Sequence, residues 1–203
     1  MRKRKLLPAA MMAAAVTAAM PSIGIAQQPD SGWYIGGSLG QSEAKNACDS
    51  VAGGGVSCDN KDTAWGILGG YWINRNFAAE IGYHDLGKTK ASGLGGSANV
   101  SSNAWELVGI GAFPIGGQFS IYGKAGVYGG VTKALLFNAG TVTSTRVKVT
   151  NIDLTYGLGA QYNVTRQLGV RAEWQRYKNV GDDALIGESD INLMSVGVIW
   201  RFL

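Results

Sequence analysis

From Gly32 onward the chain alternates residue by residue between two kinds of side chain, and a period of two is the signature of strands rather than helices. In Gly32–Gly40 one parity carries Trp33, Ile35 and Leu39, and the other carries Tyr34, Gly36, Ser38 and Gly40. The pattern returns with Trp65, Ile67, Tyr71 and Ile73 opposite Ala64, Gly66, Leu68 and Gly70, and again with Phe77, Ala79, Ile81 and Tyr83 opposite Ala78, Glu80, Gly82 and His84. Later segments set Phe119, Ile121, Ala125 and Val127 against Ser120, Tyr122, Lys124 and Gly126. They also set Leu154, Tyr156, Leu158 and Tyr162 against Asp153, Thr155, Gly157, Gly159 and Gln161. The last two set Leu168, Val170, Ala172 and Trp174 against Gly169, Arg171, Glu173 and Gln175, and Met194 to Phe202 against Ser195, Gly197, Ile199 and Arg201. Ala104–Phe113 alternates less cleanly, with apolar residues on both parities.

The glycines decide which kind of sheet this is. In a soluble sandwich the polar face meets water, where glycine only weakens a strand. Inside a narrow closed barrel few large side chains fit, so glycine beside tyrosine or arginine is at home. Glycine is 31 of 203 residues, about twice the usual share of roughly 7%. The apolar parity, with aromatic residues near the strand ends, then faces lipid. The fold class expected is all-β: a membrane-spanning, up-and-down antiparallel β-barrel of eight strands. Closure removes the sheet edges whose unpaired backbone lipid could not satisfy. Connections at residues 74–76, 114–118 and 163–166 are short, whereas those at 43–61, 88–103, 132–150 and 179–190 are longer. Short periplasmic turns and long extracellular loops are the asymmetry of such barrels.

Residues 1–26 read as a cleaved signal peptide, with a basic start (Arg2-Lys3-Arg4-Lys5), an apolar stretch too short to span a bilayer, and small residues at Gly24 and Ala26. Residues 27–203 are then the barrel domain, placed in the outer membrane of a Gram-negative cell. The chain holds 18 basic and 14 acidic residues, and removing the four basic residues of the leader leaves fourteen of each sign. The basic balance belongs to the leader, and no basic, aromatic-interleaved patch supports nucleic-acid binding.

Motifs that could carry chemistry are few. Cys48 and Cys58, the two cysteines, fall in the first long loop of an exported protein. A disulfide is expected there, worth about 3 kcal/mol on the chain-entropy model, and a metal pair is disfavoured without accompanying histidines. The sole histidine, His84, adjoins Asp85 and reads as a hydrogen-bonded surface residue at the outer rim. No local motif gives it a nucleophile, so neither an enzyme nor a metal or other cofactor is expected. Glu80, Lys124, Arg171 and Glu173 share the inward parity, and charges confined there need partners. Arg171 can fork to Glu80 or Glu173, with Gln161 and Tyr122 satisfying the remaining polar groups.

Five segments resemble the OmpA-type transmembrane domain: GWYIGGSLGQS, GGYWINRNFAAEIGYHDLG, FSIYGKAGVYGG, YGLGAQYNVTRQLGVRAEWQRYKNVGD and SVGVIWRFL. Their order, and the Arg-x-Glu-x-Gln strand followed by Asn-Val-Gly-Asp, are the specific elements. The resemblance implies an eight-stranded barrel filled by ionised side chains, and matching interior positions gives Glu80, Lys124, Arg171 and Glu173. The family's second interior lysine–glutamate pair falls on Ile110 and Gln161 here, so a gating switch does not carry over. A periplasmic peptidoglycan-binding domain is expected to be absent, which brings the size near that of OmpX/Ail-type barrels.

Two functional classes follow. One is an envelope-integrity barrel with a plugged interior, in contact with outer-membrane lipid and lipopolysaccharide, and monomeric. The other is a surface adhesin acting on host or environmental ligands through its loops, among which Leu135-Leu136-Phe137 is either a barrel extension or a sticky patch. A small pore or a lipid-modifying enzyme ranks below both.

Overall fold

The structure, a computed structural model, describes residues 31–45, 57–93, 96–138, 143–182 and 187–202. Residues 1–26 with their cleavage position lie outside them, as does Cys48, and with it the expected disulfide to Cys58.

The strands are β1 (Gly32–Ala44), β2 (Ser57–Asp59), β3 (Lys61–Trp72), β4 (Phe77–Gly93), β5 (Gly96–Pro114), β6 (Phe119–Asn138), β7 (Thr143–Asn163), β8 (Leu168–Asp182) and β9 (Gly187–Arg201). Eight of them form the wall, each antiparallel to its neighbours, and β1 closes the barrel by pairing with both β3 and β9. The short β2 pairs with the upper part of β4. Pairing partners can be followed once around the wall, from Tyr34 through Gly70, Glu80, Val108, Gly126, Thr155, Tyr177 and Ile191. They return to β1 at Ala44, ten residues further along the same strand. That stagger is the shear that tilts the strands and sets the width of the lumen.

The outer face is apolar and carries two aromatic belts. Trp33 and Tyr71 pack at the lower end, with ring centroids 4.9 Å apart. Trp65–Tyr83 (5.8 Å), Tyr83–Trp105 (4.9 Å) and Tyr156–Trp174 (6.1 Å) mark the upper end. Between the belts Ile67, Ile81, Leu107 and Leu158 are exposed, as a lipid-facing wall requires.

The lower connections are tight. The Asn74 side chain accepts hydrogen bonds from the backbone of Asn76 (2.8 Å) and Phe77 (2.9 Å), and Thr165 does the same for Leu168 (2.8 Å). The upper connections are shorter than the sequence pattern suggests. β4 and β5 stay paired to Gly93–Gly96, β6 and β7 to Asn138–Thr143, and β8 and β9 to Asp182–Gly187. Beyond the membrane both faces of a hairpin meet water, so the alternation fades while backbone pairing continues. Leu135, Leu136 and Phe137 therefore lie in β6, paired with Arg146, Thr145 and Ser144, as an extension of the wall. β5 also keeps one parity throughout, with Ala104, Glu106, Val108, Ile110 and Ala112 buried. Its inward positions look apolar in sequence because they enter the apolar layers of the interior.

Candidate functional site

The lumen is filled. Glycines face the bulkiest inward rings: a Cβ on Gly70 would collide with the phenol of Tyr34, and one on Gly159 with that of Tyr122. Two apolar layers result. The lower holds Tyr34, Trp72, Ala78, Ile110, Ala112, Tyr122 and Ile199, and the upper includes Ala64, Leu86, Ala104, Tyr128, Tyr177 and Leu193. Along β4, β5 and β6 the charged residues Glu80, Glu106 and Lys124 each lie between members of the two layers.

In the lower half of the network Arg171 Nη1 donates to Glu80 Oε2 at 2.7 Å, and Tyr34 Oη donates to the same oxygen at 2.9 Å. Arg171 Nη2 reaches Gln161 Oε1 at 3.5 Å. Gln161 donates to Asn163 (3.0 Å), which also accepts from Arg201 Nη2 (2.6 Å). The Arg171 guanidinium lies over the Tyr122 ring, 4.9 Å from its centroid, and that ring leads to the upper half. Tyr122 Oη donates to Glu173 Oε2 at 2.6 Å, and Lys124 Nζ bridges Glu173 Oε1 (2.6 Å) and Glu106 Oε1 (3.1 Å). Glu106 also accepts from Tyr177 Oη (2.9 Å) and from Gln175, which donates in turn to Thr155 (2.7 Å).

Among the described residues the lumen thus sets Glu80, Glu106 and Glu173 against Lys124, Arg171 and Arg201. Each carboxylate is met by a cation, as burial demands. Glu80, Lys124, Gln161, Arg171 and Glu173 all join this network. Arg171 engages one oxygen of Glu80 rather than a two-point fork, and Glu173 is taken by Lys124 and Tyr122 instead.

Two residues stand where the sequence reading did not put them. Glu106 is the second carboxylate for Lys124. Lys124 thus holds two carboxylates by itself, Glu173 and Glu106, while Ile110 packs in the lower apolar layer and Gln161 hydrogen-bonds with Arg171 and Asn163. The signal for Glu106 was its parity against Trp105 and Leu107, masked by the apolar residues around it. His84 is not a rim residue. It is 2% exposed, with Nε2 3.3 Å from Glu106 Oε1 and its ring 6.2 Å from that of Tyr177. Its inward parity with Glu80 points there, and β4 runs on to Gly93, well past the connection expected from residue 88.

Above the upper belt the wall is pinned by a bulge. Asn179 takes a left-handed backbone (φ 52°) where the β8–β9 register shifts. Its side chain donates to Asp153 (2.8 Å), and Asp190 accepts from Lys178 Nζ (2.8 Å) and from the Asn179 backbone (3.2 Å). Partial burial pushes the Asp190 carboxyl up, but these two hydrogen bonds prevail and hold it below the usual aspartate range.

The family profile described as the OmpA-like transmembrane domain matches residues 28–203. Outer membrane protein A of Salmonella typhi is 29% identical over 196 residues, which is 95% of this chain and 55% of that protein. Its counterpart in Klebsiella pneumoniae is 30% identical over 183 residues, 85% of this chain and 52% of that protein. The chain spans about half the length of the curated relatives it matches. Among solved structures, Neisserial surface protein A superposes with a TM-score of 0.59 at 18% identity, covering 86% of this chain and 100% of that one. OprG of Pseudomonas aeruginosa gives 0.56 at 16%, covering 88% and 98%. Ail, the attachment invasion locus protein of Yersinia pestis, gives 0.51 at 16%, covering 87% and 100%. At these identities the superpositions speak for the barrel fold alone.

Proposed function

The chain belongs to the family of OmpA-like transmembrane domains and is an integral β-barrel of the bacterial outer membrane, and we propose that it serves there as a plugged, monomeric envelope-integrity barrel. The observation that carries this reading is the closed interior network. Among the described residues each of its carboxylates is met by a cation across the lumen, and large side chains fill the space a solute would have to pass. The same burial argues against catalysis. His84 and Glu106, the pair closest to an acid–base arrangement, are enclosed between two apolar layers where a lipid or peptide substrate does not reach. What such a barrel offers the cell is its outer surface: a lipid-facing wall and the headgroup region around it, lipopolysaccharide included.

A second reading has its own support. Ail has been solved with the heparin analogue sucrose octasulfate, and in this chain the paired hairpins continue past the upper aromatic belt as ordered ribbons. Such ribbons can present residues to a surface partner. Deleting residues 134–147 separates the two roles. An envelope role predicts that the null strain becomes detergent-sensitive and that the hairpin deletion restores resistance. An adhesin role predicts that the hairpin deletion abolishes binding to target cells while resistance stays intact.

A further inference from the structure

We infer that His84 is an acid-operated lock on the plug: on taking up a proton, its imidazole becomes the second cation of the upper network and relieves Lys124 of Glu106. The balance of charges over the whole lumen conceals a local mismatch. Among the described residues the lower half holds Glu80 with Arg171 and Arg201, whereas the upper half holds Glu106 and Glu173 with Lys124, which lies 3.1 Å from one and 2.6 Å from the other. Where the dielectric is low, a charge is governed by what lies within a few ångströms of it rather than by the total. The upper half is one cation short.

His84 stands where that cation is missing. The ring is buried, and Nε2 lies 3.3 Å from Glu106 Oε1, the oxygen that Lys124 also reaches. Tyr177 and Gln175 donate to the other oxygen of Glu106 and leave Oε1 to Lys124 and His84. Neither ring nitrogen has a hydrogen-bond partner among the described residues, a rare state for a buried polar group. Glycines make room for the ring: a Cβ on Gly82 would come within 3.1 Å of Nε2, and one on Gly66 would collide with Nδ1. A cavity of about 10 Å³, on the scale of one water, adjoins it and is lined in part by Ser38, Arg171, Glu173 and Ser195.

The charged and titratable groups around the ring are Glu106 from β5, Lys124 from β6, and Arg171, Glu173 and Tyr177 from β8. Glu80 lies two inward positions away on β4 itself. β1, β3 and β9 contribute Ser38, Gly66 and Ser195, which carry no charge. A neutral imidazole offers Glu106 a weak dipole. An imidazolium donates a charge-assisted hydrogen bond from Nε2 to Oε1, and Glu106 and Glu173 then have a cation each. Histidine is the side chain whose ordinary charge change falls between about pH 5 and 8, so the lock engages in mild acid and releases as the pH rises.

This inference rests on the plugged reading, and the two fail separately: a large steady pore would remove the plug, whereas the comparison that follows reads the network itself. The test uses the whole untagged barrel folded into vesicles, in which His84 is the one histidine. Urea midpoints are measured at about pH 5.5 and about pH 8 for the wild type, Lys124→Met, His84→Gln and the double variant. At the higher pH Lys124→Met leaves two carboxylates without a cation. At the lower pH His84 supplies one of them, so the drop in midpoint should be roughly halved. In the His84→Gln background, where the side chain keeps a donor but takes up no proton, that pH dependence should disappear. An equal drop at both pH values with His84 present, or the same pH dependence without it, would overturn the lock. Should Lys124→Met not fold, nitrogen NMR of the wild type labelled at histidine and lysine decides. The imidazole should read as imidazolium at the lower pH and as neutral at the higher, with the Lys124 ammonium signal shifting in step. A ring still neutral at the lower pH, or a Lys124 signal indifferent to it, would overturn the lock as well.

Discussion

Arg171 and Glu80 meet at 2.7 Å from opposite walls of the barrel, one on β8 and the other on β4, four strands apart in either direction. Their contact crosses the full lumen, so it ties the two halves of the sheet together as well as neutralising two buried charges.

Breaking this pair leaves an uncompensated charge in a place water does not reach freely. Arg171→Ala should lower folding stability by about 3–5 kcal/mol, read from urea midpoints in vesicles. Glu80→Ala should cost a comparable amount, and the double variant should cost clearly less than the two single changes together. Strict additivity would mean that the two groups do not act as a pair.

Lys124 holds two carboxylates, Glu106 and Glu173, whereas each of these has other donors. Lys124→Met should therefore destabilise more than Glu106→Gln, which keeps the shape of the side chain and some hydrogen bonds from Tyr177 and Gln175. Paired urea titrations of the two variants decide the order, and the reverse order would put the centre of the upper half at Glu106.

The outer face of the wall should reject charge but tolerate a small apolar addition. Ile81 is exposed midway between the aromatic belts, and Ile81→Arg should cost about 2–4 kcal/mol when the barrel is folded into bilayers. Gly69→Ala, on the same face with only ordinary contacts around its new Cβ, should be nearly silent. Equal costs for both would mean that Ile81 does not face hydrocarbon.

This parity was the most legible part of the molecule. Trp33, Ile35 and Leu39 against Tyr34, Gly36 and Ser38 fix which face meets lipid, because a membrane enforces the contrast at every second residue. The interior was legible where a charge interrupts a run of small residues, as Glu80, Lys124 and Arg171 do. It was hidden where the inward positions are themselves apolar: Glu106 sits among Ala104, Val108 and Ile110, and the pattern of β5 reads as ambiguous. Strand ends were hidden for a different reason. Past the belts no lipid enforces the contrast between the two faces, so His84 reads as terminal in sequence although its strand runs nine residues further.

The bulge on β8 gives a pH signature outside the membrane. Asp190 has a depressed pKa in the folded state, so the contribution of its hydrogen bonds is fully present above the usual aspartate value near 3.9 and is lost as pH falls through the lower folded value. The Asn179 amide, which donates to Asp190, should report this in NMR titrations of the micelle-bound barrel. A midpoint at or above about 3.9 would contradict the clamp.

The most direct test of a plugged lumen is the conductance of the purified wild-type barrel in planar bilayers. Eight strands leave an interior that side chains can fill, and the network from Arg201 through Arg171 and Lys124 to Glu106 fills it. The wild type should show no large, steady open level, and Arg171→Ala, which removes the side chain spanning the lumen, should raise the conducting fraction. A large and stable wild-type pore, unchanged by Arg171→Ala, would contradict the plug.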